Sequence, residues 1–367
     1  MAEVGKARTH PSVRSILRRY DRIALRTEPL DRLVDFLTGT PDPLEWGDRD
    51  LVIGRQEWES WDTRRRHRAV GFLRRRFLVA RHALRPPIYY SRTARNDLFD
   101  RAHSQAIGEL KVVFRHKDVP MAALAPKYLL PVAPLLGLSP RLKFTPIEDL
   151  AVILNSRLFH FFWQHCFSRR PGHTPPSPLE RLARFKVPML TKRIGGPFRA
   201  TRDSILKLAA ENSDRLSAMD QVEEIAEAGG VPLMPLGQTE GIIREINVPK
   251  PLGELTDVKR RGPVVIFRRG STIVTTTEEA ATYLELWLQE RFDWLRGLDR
   301  EDLEEHIRMP LSTAHVVVVL QRRARIQAEI DRVQSRIDEL QLQAEDQLYD
   351  LYGLNDAERG YLRSSIA

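Results

Sequence analysis

Cysteine is almost missing from the 367-residue chain, with Cys166 the only one. A single thiol excludes an intramolecular disulfide, a cysteine-rich zinc site and an iron–sulfur cluster, and it fits a reducing compartment. No uninterrupted apolar run spans a bilayer. The most apolar long stretch, Val119 to Pro140, carries Lys127 and prolines at 120, 126, 131, 134 and 140, which would break a spanning helix repeatedly. It reads as an irregular soluble segment. The opening MAEVGKARTH has no apolar core, so no signal peptide, no membrane partner and a cytoplasmic location are expected. Catalytic signatures are lacking too: there is no glycine-rich phosphate loop, HExxH, Gly-x-Ser-x-Gly elbow or Cys-x-x-Cys pair. His160 and His165 lie five apart, on different helical faces, and are expected to be structural or solvent-facing rather than metal ligands.

What is present is a core-forming, basic composition. Hydrophobic residues make up 42%, enough for one large domain or two. Lys plus Arg number 58 against 49 Asp plus Glu, a net charge of +9 that points to a polyanionic partner without specifying a fold. The excess is concentrated. Residues 63–96 hold eleven arginines and no acid, with Trp58, Trp61, Phe72, Phe77, Tyr89 and Tyr90 interleaved with or flanking Arg64-Arg65-Arg66 and Arg74-Arg75-Arg76. Arginines held together without compensation repel one another, so a phosphate backbone is a fitting counter-charge. A solvated face or an acidic protein partner is the alternative. Residues 278–308, by contrast, carry ten acids against four arginines.

Residues 12–37 show helical spacing, with Pro29 separating two helices and Arg14, Arg18, Arg19 and Arg22 along the first as a solvated face. Short β-like runs follow at Ile88 to Tyr90, Lys111 to Phe114 and Lys127 to Pro131. Helix is predicted from Pro146 to Phe167 and from Thr201 to Ala228, the latter ended by Gly229-Gly230. Gly241 to Val248 and Pro263 to Thr277 are predicted strands, flanked by Lys259-Arg260-Arg261 and Arg268-Arg269, which suit either phosphate or a protected sheet edge. Glu278 to Arg308 reads as an acidic helix. The last helix, about Gln321 to Tyr352, bears Ile326, Ile330, Val333, Ile337, Leu340, Ala344, Leu348 and Leu351, nearly a heptad seam. So narrow a stripe needs a partner helix, either Thr201 to Ala228 or one from another subunit.

One nuclease-like element is present. Asp97 or Asp100 followed by Glu109-Leu110-Lys111 resembles a D…E-x-K core, in which two acids bind a divalent metal and the lysine assists the attacking water. Chance supplies about one acid-x-Lys triplet in a chain of this composition, and Asp257-Val258-Lys259 is a second instance.

Two longer segments resemble one family. Asp149-Leu150-Ala151-Val152-Ile153-Leu154-Asn155-Ser156-Arg157-Leu158-Phe159-His160-Phe161-Phe162 follows the strand-like Pro86 to Tyr90 and Tyr128 to Pro131 and precedes Phe185-Lys186-Val187-Pro188. Ile330-Asp331 leads through Asp346-Gln347-Leu348-Tyr349-Asp350-Leu351-Tyr352-Gly353-Leu354-Asn355-Asp356-Ala357-Glu358. In this order they resemble the target-recognition domain and C-terminal ending of TaqI-like, Type IIG N6-adenine DNA methyltransferases and related restriction-modification enzymes. The match spans about residues 85–195 and 320–360. The family's methyl-transfer motifs are missing: the Pro-Pro pairs are Arg85-Pro86-Pro87-Ile88 and Thr174-Pro175-Pro176-Ser177, not the Asn/Asp-Pro-Pro-Tyr/Phe that grips a flipped adenine.

The resemblance therefore implies a reader without a catalyst: a non-enzymatic DNA-specificity subunit directing a separate methyltransferase or restriction subunit, in phage defence, with S-adenosylmethionine held by that partner and no cofactor or metal in this chain. The expected fold is mixed α/β (α+β), a target-recognition domain with small sheets plus a long helical scaffold ending in a coiled-coil-like helix. The expected organisation is an N-terminal helical arm (1–60), a recognition domain (61–198), a connecting helix and small β region (199–277) and a C-terminal helical scaffold (278–367). Contacts to double-stranded DNA are expected from Arg64, Arg65, Arg66, Arg74, Arg75, Arg76, Arg92, Arg95, Arg115, Lys117, Arg169, Arg170, Lys192 and Arg193, the first group on phosphates and the loop residues on base edges. Asn155-Ser156 is expected to fix its helix against the sheet, and the acidic helix to face a basic protein. The rivals are a non-specific nucleic-acid-binding scaffold and a metal-dependent nuclease using Glu109 and Lys111.

Overall fold

In a computed structural model of the chain, the residues described are 11–22, 27–38, 52–53, 69–73, 78–80, 82–84, 88–91, 109–116, 120–141, 145–165, 177–190, 195–219, 221–239, 241–249, 258–267, 271–290 and 299–365. The chain divides into two units, Met1–Ser213 with Gln334–Ala367, and Asp214–Val333. The fold is mixed helix and sheet with small sheets and a long C-terminal helix, as the sequence predicts.

The first unit opens with α1 (Pro11–Asp21), which buries Val13, Ile16 and Tyr20 and exposes Arg14 and Arg18. No second long helix follows Pro29. The chain makes β1 (Thr27–Pro29), a single turn α2 (Leu30–Leu33) and β2 (Val34–Thr38). The spacing of Leu30, Leu33, Val34 and Leu37 suits a helix, but Val34 and Leu37 are buried in a strand that pairs along its length with a later one. Tertiary pairing overrides the local period here. Next come β3 (Val52–Ile53), β4 (Ala69–Leu73), β5 (Leu78–Ala80), β6 (Ala83–Leu84) and β7 (Ile88–Ser91), so the arginine-rich stretch contains strands.

β8 (Lys111–Arg115), β9 (Met121–Ala125), β10 (Leu129–Pro131) and β11 (Leu136–Pro140) follow. The segment Val119 to Pro140 is thus largely strand rather than irregular. Its prolines sit where the ladder tolerates them, before or just after β9, at the last residues of β10 and β11, and, for Pro134, in the connection between those two strands. Two four-stranded sheets result, in the orders β10-β4-β7-β3 and β2-β11-β8-β9. The second is covered by α3 (Ile147–Ile153) and α4 (Arg157–His165), one helix in the sequence pattern and two in the structure. Val112, Val113, Phe114, Leu138, Leu150, Phe159 and Phe162 are all buried, each such side chain contributing about 1.5–3 kcal/mol. After them, α5 (Pro178–Ala183) starts on a Ser177/Glu180 capping box, β12 (Lys186–Pro188) pairs with β1, and α6 (Gly196–Met219) begins.

The second unit contains α7 (Val222–Ala228), β13 (Leu233–Pro235), β14 (Ile243–Asn247), β15 (Lys259–Arg261), β16 (Val264–Ile266), β17 (Thr272–Thr275), α8 (Glu278–Glu290), α9 (Arg300–His306) and β18 (Arg308–Pro310). Thr201 to Ala228 is therefore two helices, the second capped by Gly229 as expected. The acidic stretch is α8 and α9, with residues 291–298 outside the described set. β14-β17-β16-β15 form an antiparallel sheet on which α8 packs, burying Val265, Ile273, Tyr283, Leu284 and Trp287.

α10 (Thr313–Leu351) is 39 residues long and belongs in part to each unit; α11 (Asp356–Ser365) ends the fold. Within the first unit, Gln347 Nε2 donates to Thr201 Oγ1 at 3.2 Å and Asn212 Nδ2 to Gln334 Oε1 at 3.5 Å. Numbers rise along α6 as they fall along α10, so the two run antiparallel. Phe198, Ile205, Ala209 and Asn212 on α6, and Ile337, Leu340, Ala344 and Leu348 on α10, are the buried seam positions. Of the two expected partners for the heptad stripe, the structure uses the helix of the same chain. Among the described residues, no helix is long and apolar enough to cross a membrane.

Candidate nucleic-acid interface

One buried side chain does much to fix the edge of the second sheet. β9 is an edge strand, with backbone groups that would otherwise pair with another chain. Asn155, fully buried between α3 and α4, supplies the missing partner. Its Oδ1 accepts from Ala122 N at 2.9 Å, and its Nδ2 donates to Ala122 O at 2.8 Å and Ala151 O at 2.9 Å. One amide thus pairs with both backbone groups of a strand residue and ends the preceding helix, as a short polar side chain that competes with the backbone does. This is the expected structural role of Asn155-Ser156. Ser156 contributes through Oγ, which donates to Ile153 O at 2.7 Å and accepts from Phe159 N at 3.2 Å.

Two partners of this arrangement carry no signal in the sequence pattern. His82, at φ +63, donates its backbone N–H to Ala122 O at 3.1 Å and covers the same edge. Its Nε2 lies 2.9 Å from Gln341 Oε1; an amide oxygen only accepts, so Nε2 is the donor in this pair. Gln341 Nε2 in turn donates to Val152 O at 3.2 Å. One turn on, buried Glu345 accepts from Arg157 N at 3.1 Å and from Tyr349 Oη at 3.3 Å, satisfying the start of α4. The Tyr349 hydroxyl is pushed up by burial and by the adjacent Glu345 carboxylate.

The C-terminal motif also has a local physical meaning. Leu354 N bonds Tyr349 O at 2.9 Å and Gly353 N bonds Asp350 O at 3.0 Å, with Gly353 at φ +63, a Schellman ending of α10. Asn355 then caps α11: Glu358 N donates to Asn355 Oδ1 at 3.0 Å and Asn355 N to Glu358 Oε2 at 2.8 Å, a reciprocal capping box. Glu358 also takes Arg19 Nε at 2.9 Å. Burial raises the Glu358 carboxyl, but hydrogen bonds from Ser15, Asn355 N and Arg19 outweigh it and hold it low. Nearby, Tyr20 Oη accepts from Lys186 N at 2.6 Å and Tyr352 Oη donates to Lys186 O at 3.2 Å. Asp149, raised by burial and pulled back by Arg202 and Arg199, ties α3 to α6.

Arg115 is the one expected DNA contact among the described residues. It ends β8 opposite Met121, half-buried; its Nη2 contacts Met121 Sδ at 3.1 Å and its Nε is buried without a hydrogen-bond partner. No carboxylate neutralises it among the described residues. Arg64, Arg65, Arg66, Arg74, Arg75, Arg76, Arg92, Arg95, Lys117, Arg169, Arg170, Lys192 and Arg193 lie outside the described residues, as do Asp97, Asp100, Trp58 and Trp61. In chain order the first two arginine triplets flank β4, which pairs with β7 so that Gly71 faces Tyr89 and Val70 faces Tyr90.

Lys111 contradicts the nuclease reading at its own position. It is wholly buried, and its Nζ donates to Glu109 O at 2.7 Å, whereas a lysine that assists an attacking water must reach solvent. Burial, with a smaller effect from Lys127 and an opposing one from Glu109, lowers its pKa to about 7. Among the described residues, no group of three His, Cys, Asp or Glu side chains is placed to hold a metal ion.

In the second unit the charges largely answer one another. β15 is an edge strand, and Arg260 on it pairs with Glu278 at 3.6 Å and Glu285 at 3.5 Å, which favours edge protection over phosphate contact there. Glu290 binds Arg323 and accepts from Val222 N at 2.7 Å, and Glu223 accepts from Trp287 Nε1 at 2.5 Å. The acid left exposed includes Glu279, Glu301 and Glu305.

No protein-family model matches the chain, and no curated protein matches it. Among solved structures, the chain is similar to the crystal structure of a Type I restriction-modification system S subunit from M. genitalium, at 10% identity and a TM-score of 0.33, covering 90% of this chain and 96% of that one. It is also similar to the HsdS subunit from Thermoanaerobacter tengcongensis, at 13% identity and a TM-score of 0.30, covering 94% and 96%. A third, described as the structural basis of complex assembly and conformational transition of the type I R-M system, matches at 13% identity and a TM-score of 0.33, covering 89% and 97%.

Proposed function

We propose that the chain is a DNA sequence-specificity subunit that directs a separate N6-adenine methyltransferase, or a restriction-modification complex containing one, to its target. In this reading it has no catalytic role, and S-adenosylmethionine is bound by the partner subunit. The observation that carries the reading is that the two segments resembling the recognition family, far apart in sequence, meet through buried bonds. Val152 O of the first accepts from Gln341 Nε2 of the second, and Arg157 N of the first is capped by Glu345 of the second. The two segments thus form one scaffold, holding a sheet whose end presents Arg115 and whose sequence neighbourhood supplies the arginine clusters. Those clusters would hold the duplex backbone, giving salt-sensitive affinity, and loop side chains would read base edges.

The test is selection from a randomised duplex pool at fixed salt. The proposal requires enrichment of one motif; binding with no preference assigns the chain instead to the class of non-specific nucleic-acid scaffolds.

A further inference from the structure

α1 presents more positive charge than its neighbours consume. Arg14, Arg18 and Arg22 fall at four-residue steps, about 6 Å apart along the helix axis, and all three are exposed. Among the described residues none has a carboxylate partner. The carboxylates nearby are committed elsewhere: Glu358 to Arg19 and Asp350 to Arg359 at 2.5 Å.

Arg18 and Arg22 line a cleft of about 420 Å³ together with Arg19 and, from the end of α10, Asp350, Leu351 and Tyr352. Its lining offers the guanidinium groups of Arg18, Arg19 and Arg22 against one carboxylate, Asp350, which Arg359 already holds, and its apolar members are the buried Tyr352 and the half-buried Leu351. Protein docking sites rely on accessible apolar anchors, so an acidic protein fits poorly. Guanidinium pairs in a concave site match the planar, bidentate geometry of a phosphate, and an excess of positive charge in a cleft concentrates its counter-ion.

We infer that this cleft binds the phosphodiester backbone of DNA, a contact set apart in sequence from the arginine clusters of residues 63–96 and blind to base sequence. The identity of the ligand rests on the DNA-recognition reading. In the test, full-length protein and the Arg18→Gln/Arg22→Gln variant are titrated with randomised duplex over a salt series, and both are used for motif selection. The variant is expected to melt as the wild type does, to weaken on every duplex alike, and to lower the slope of log affinity against log salt by about 2. Its selected motif stays the same. Arg18→Lys/Arg22→Lys, which keeps the charge, is expected to keep the slope.

An unchanged slope in a folded Gln variant overturns the inference and leaves the specificity reading standing if a motif is still enriched. A reduced slope with no motif enriched in either protein supports the cleft and sinks the specificity reading. Loss of a protein partner with the DNA slope unchanged makes the cleft a protein dock and overturns the inference, and a wild type that binds no duplex defeats both.

Discussion

Replacing Asn155 with alanine tests the central structural claim most directly. The change removes an acceptor from Ala122 N and a donor from both Ala122 O and Ala151 O. Ala122 O keeps the His82 N–H, but the buried Ala122 N–H is orphaned. An unsatisfied buried group costs about 1–3 kcal/mol and each lost bond about 1 kcal/mol, so the expected loss is about 3–5 kcal/mol. For a unit of this size that lowers the melting temperature by about 10 °C. Urea unfolding and thermal melting of the full chain measure the loss. Asn155→Asp is the matched control, since it keeps the volume and the Oδ1 acceptor but aims a carboxylate at two carbonyls. A buried carboxyl has a raised pKa in the folded state, so Asn155→Asp should become less stable as pH rises above the ordinary aspartate value. An Asn155→Ala protein within 1 kcal/mol of wild type would show that β9 does not depend on this amide.

Lys111 has a folded pKa of about 7, below its unfolded value near 10.5, so the unfolded chain binds more protons between those limits. Stability should rise with pH across that window, by at most about 1.4 kcal/mol per unit, and Lys111→Met should flatten the rise and stabilise the protein at pH 6 in urea titrations. Gly353→Ala places a Cβ at φ +63 and should cost about 1–2 kcal/mol by thermal melting, with Gly353→Asn costing less. Asn212, buried with Oδ1 unbonded, should give a more stable protein as Asn212→Leu; a fall in melting temperature would show that its weak bond to Gln334 matters more than its burial.

The parts legible in the sequence were those in which one residue type dictates one local event. Gly229-Gly230 is expected to end a helix, and Gly229 caps α7. The heptad stripe of α10 required a partner helix, although spacing could not choose between a helix of the same chain and one from another subunit. Residues 30–37 misled because i, i+3, i+4 spacing over so short a run serves a strand equally well, and only pairing with β11 decides between them. The break at Leu154 to Ser156 escaped the pattern because the apolar spacing continues through it; the helix ends on a single amide drawn toward a distant strand. His82 and Gln341 had no signal at all, since each is an ordinary polar residue whose meaning depends on what lies opposite.

That difference bears on why the recognition motifs read as they do. Leu154-Asn155-Ser156 looks like an interruption in an apolar helix, and Gln341 and Glu345 look like polar errors near a heptad seam. Each would destabilise its own element: a buried amide or carboxylate without partners costs more than it returns. They are tolerable only together, because each satisfies backbone groups exposed by another: Asn155 the edge of β9, Gln341 a carbonyl at the end of α3, Glu345 the first N–H of α4. An apolar seam would hold the same helices with looser register, since hydrophobic contact is non-directional. Directional bonds at the junction of sheet edge, helix break and long helix set the position of β8 and β9, and with them Arg115. The proposed reading of base edges by hydrogen-bond geometry requires such a fixed position more than it requires the last increment of stability.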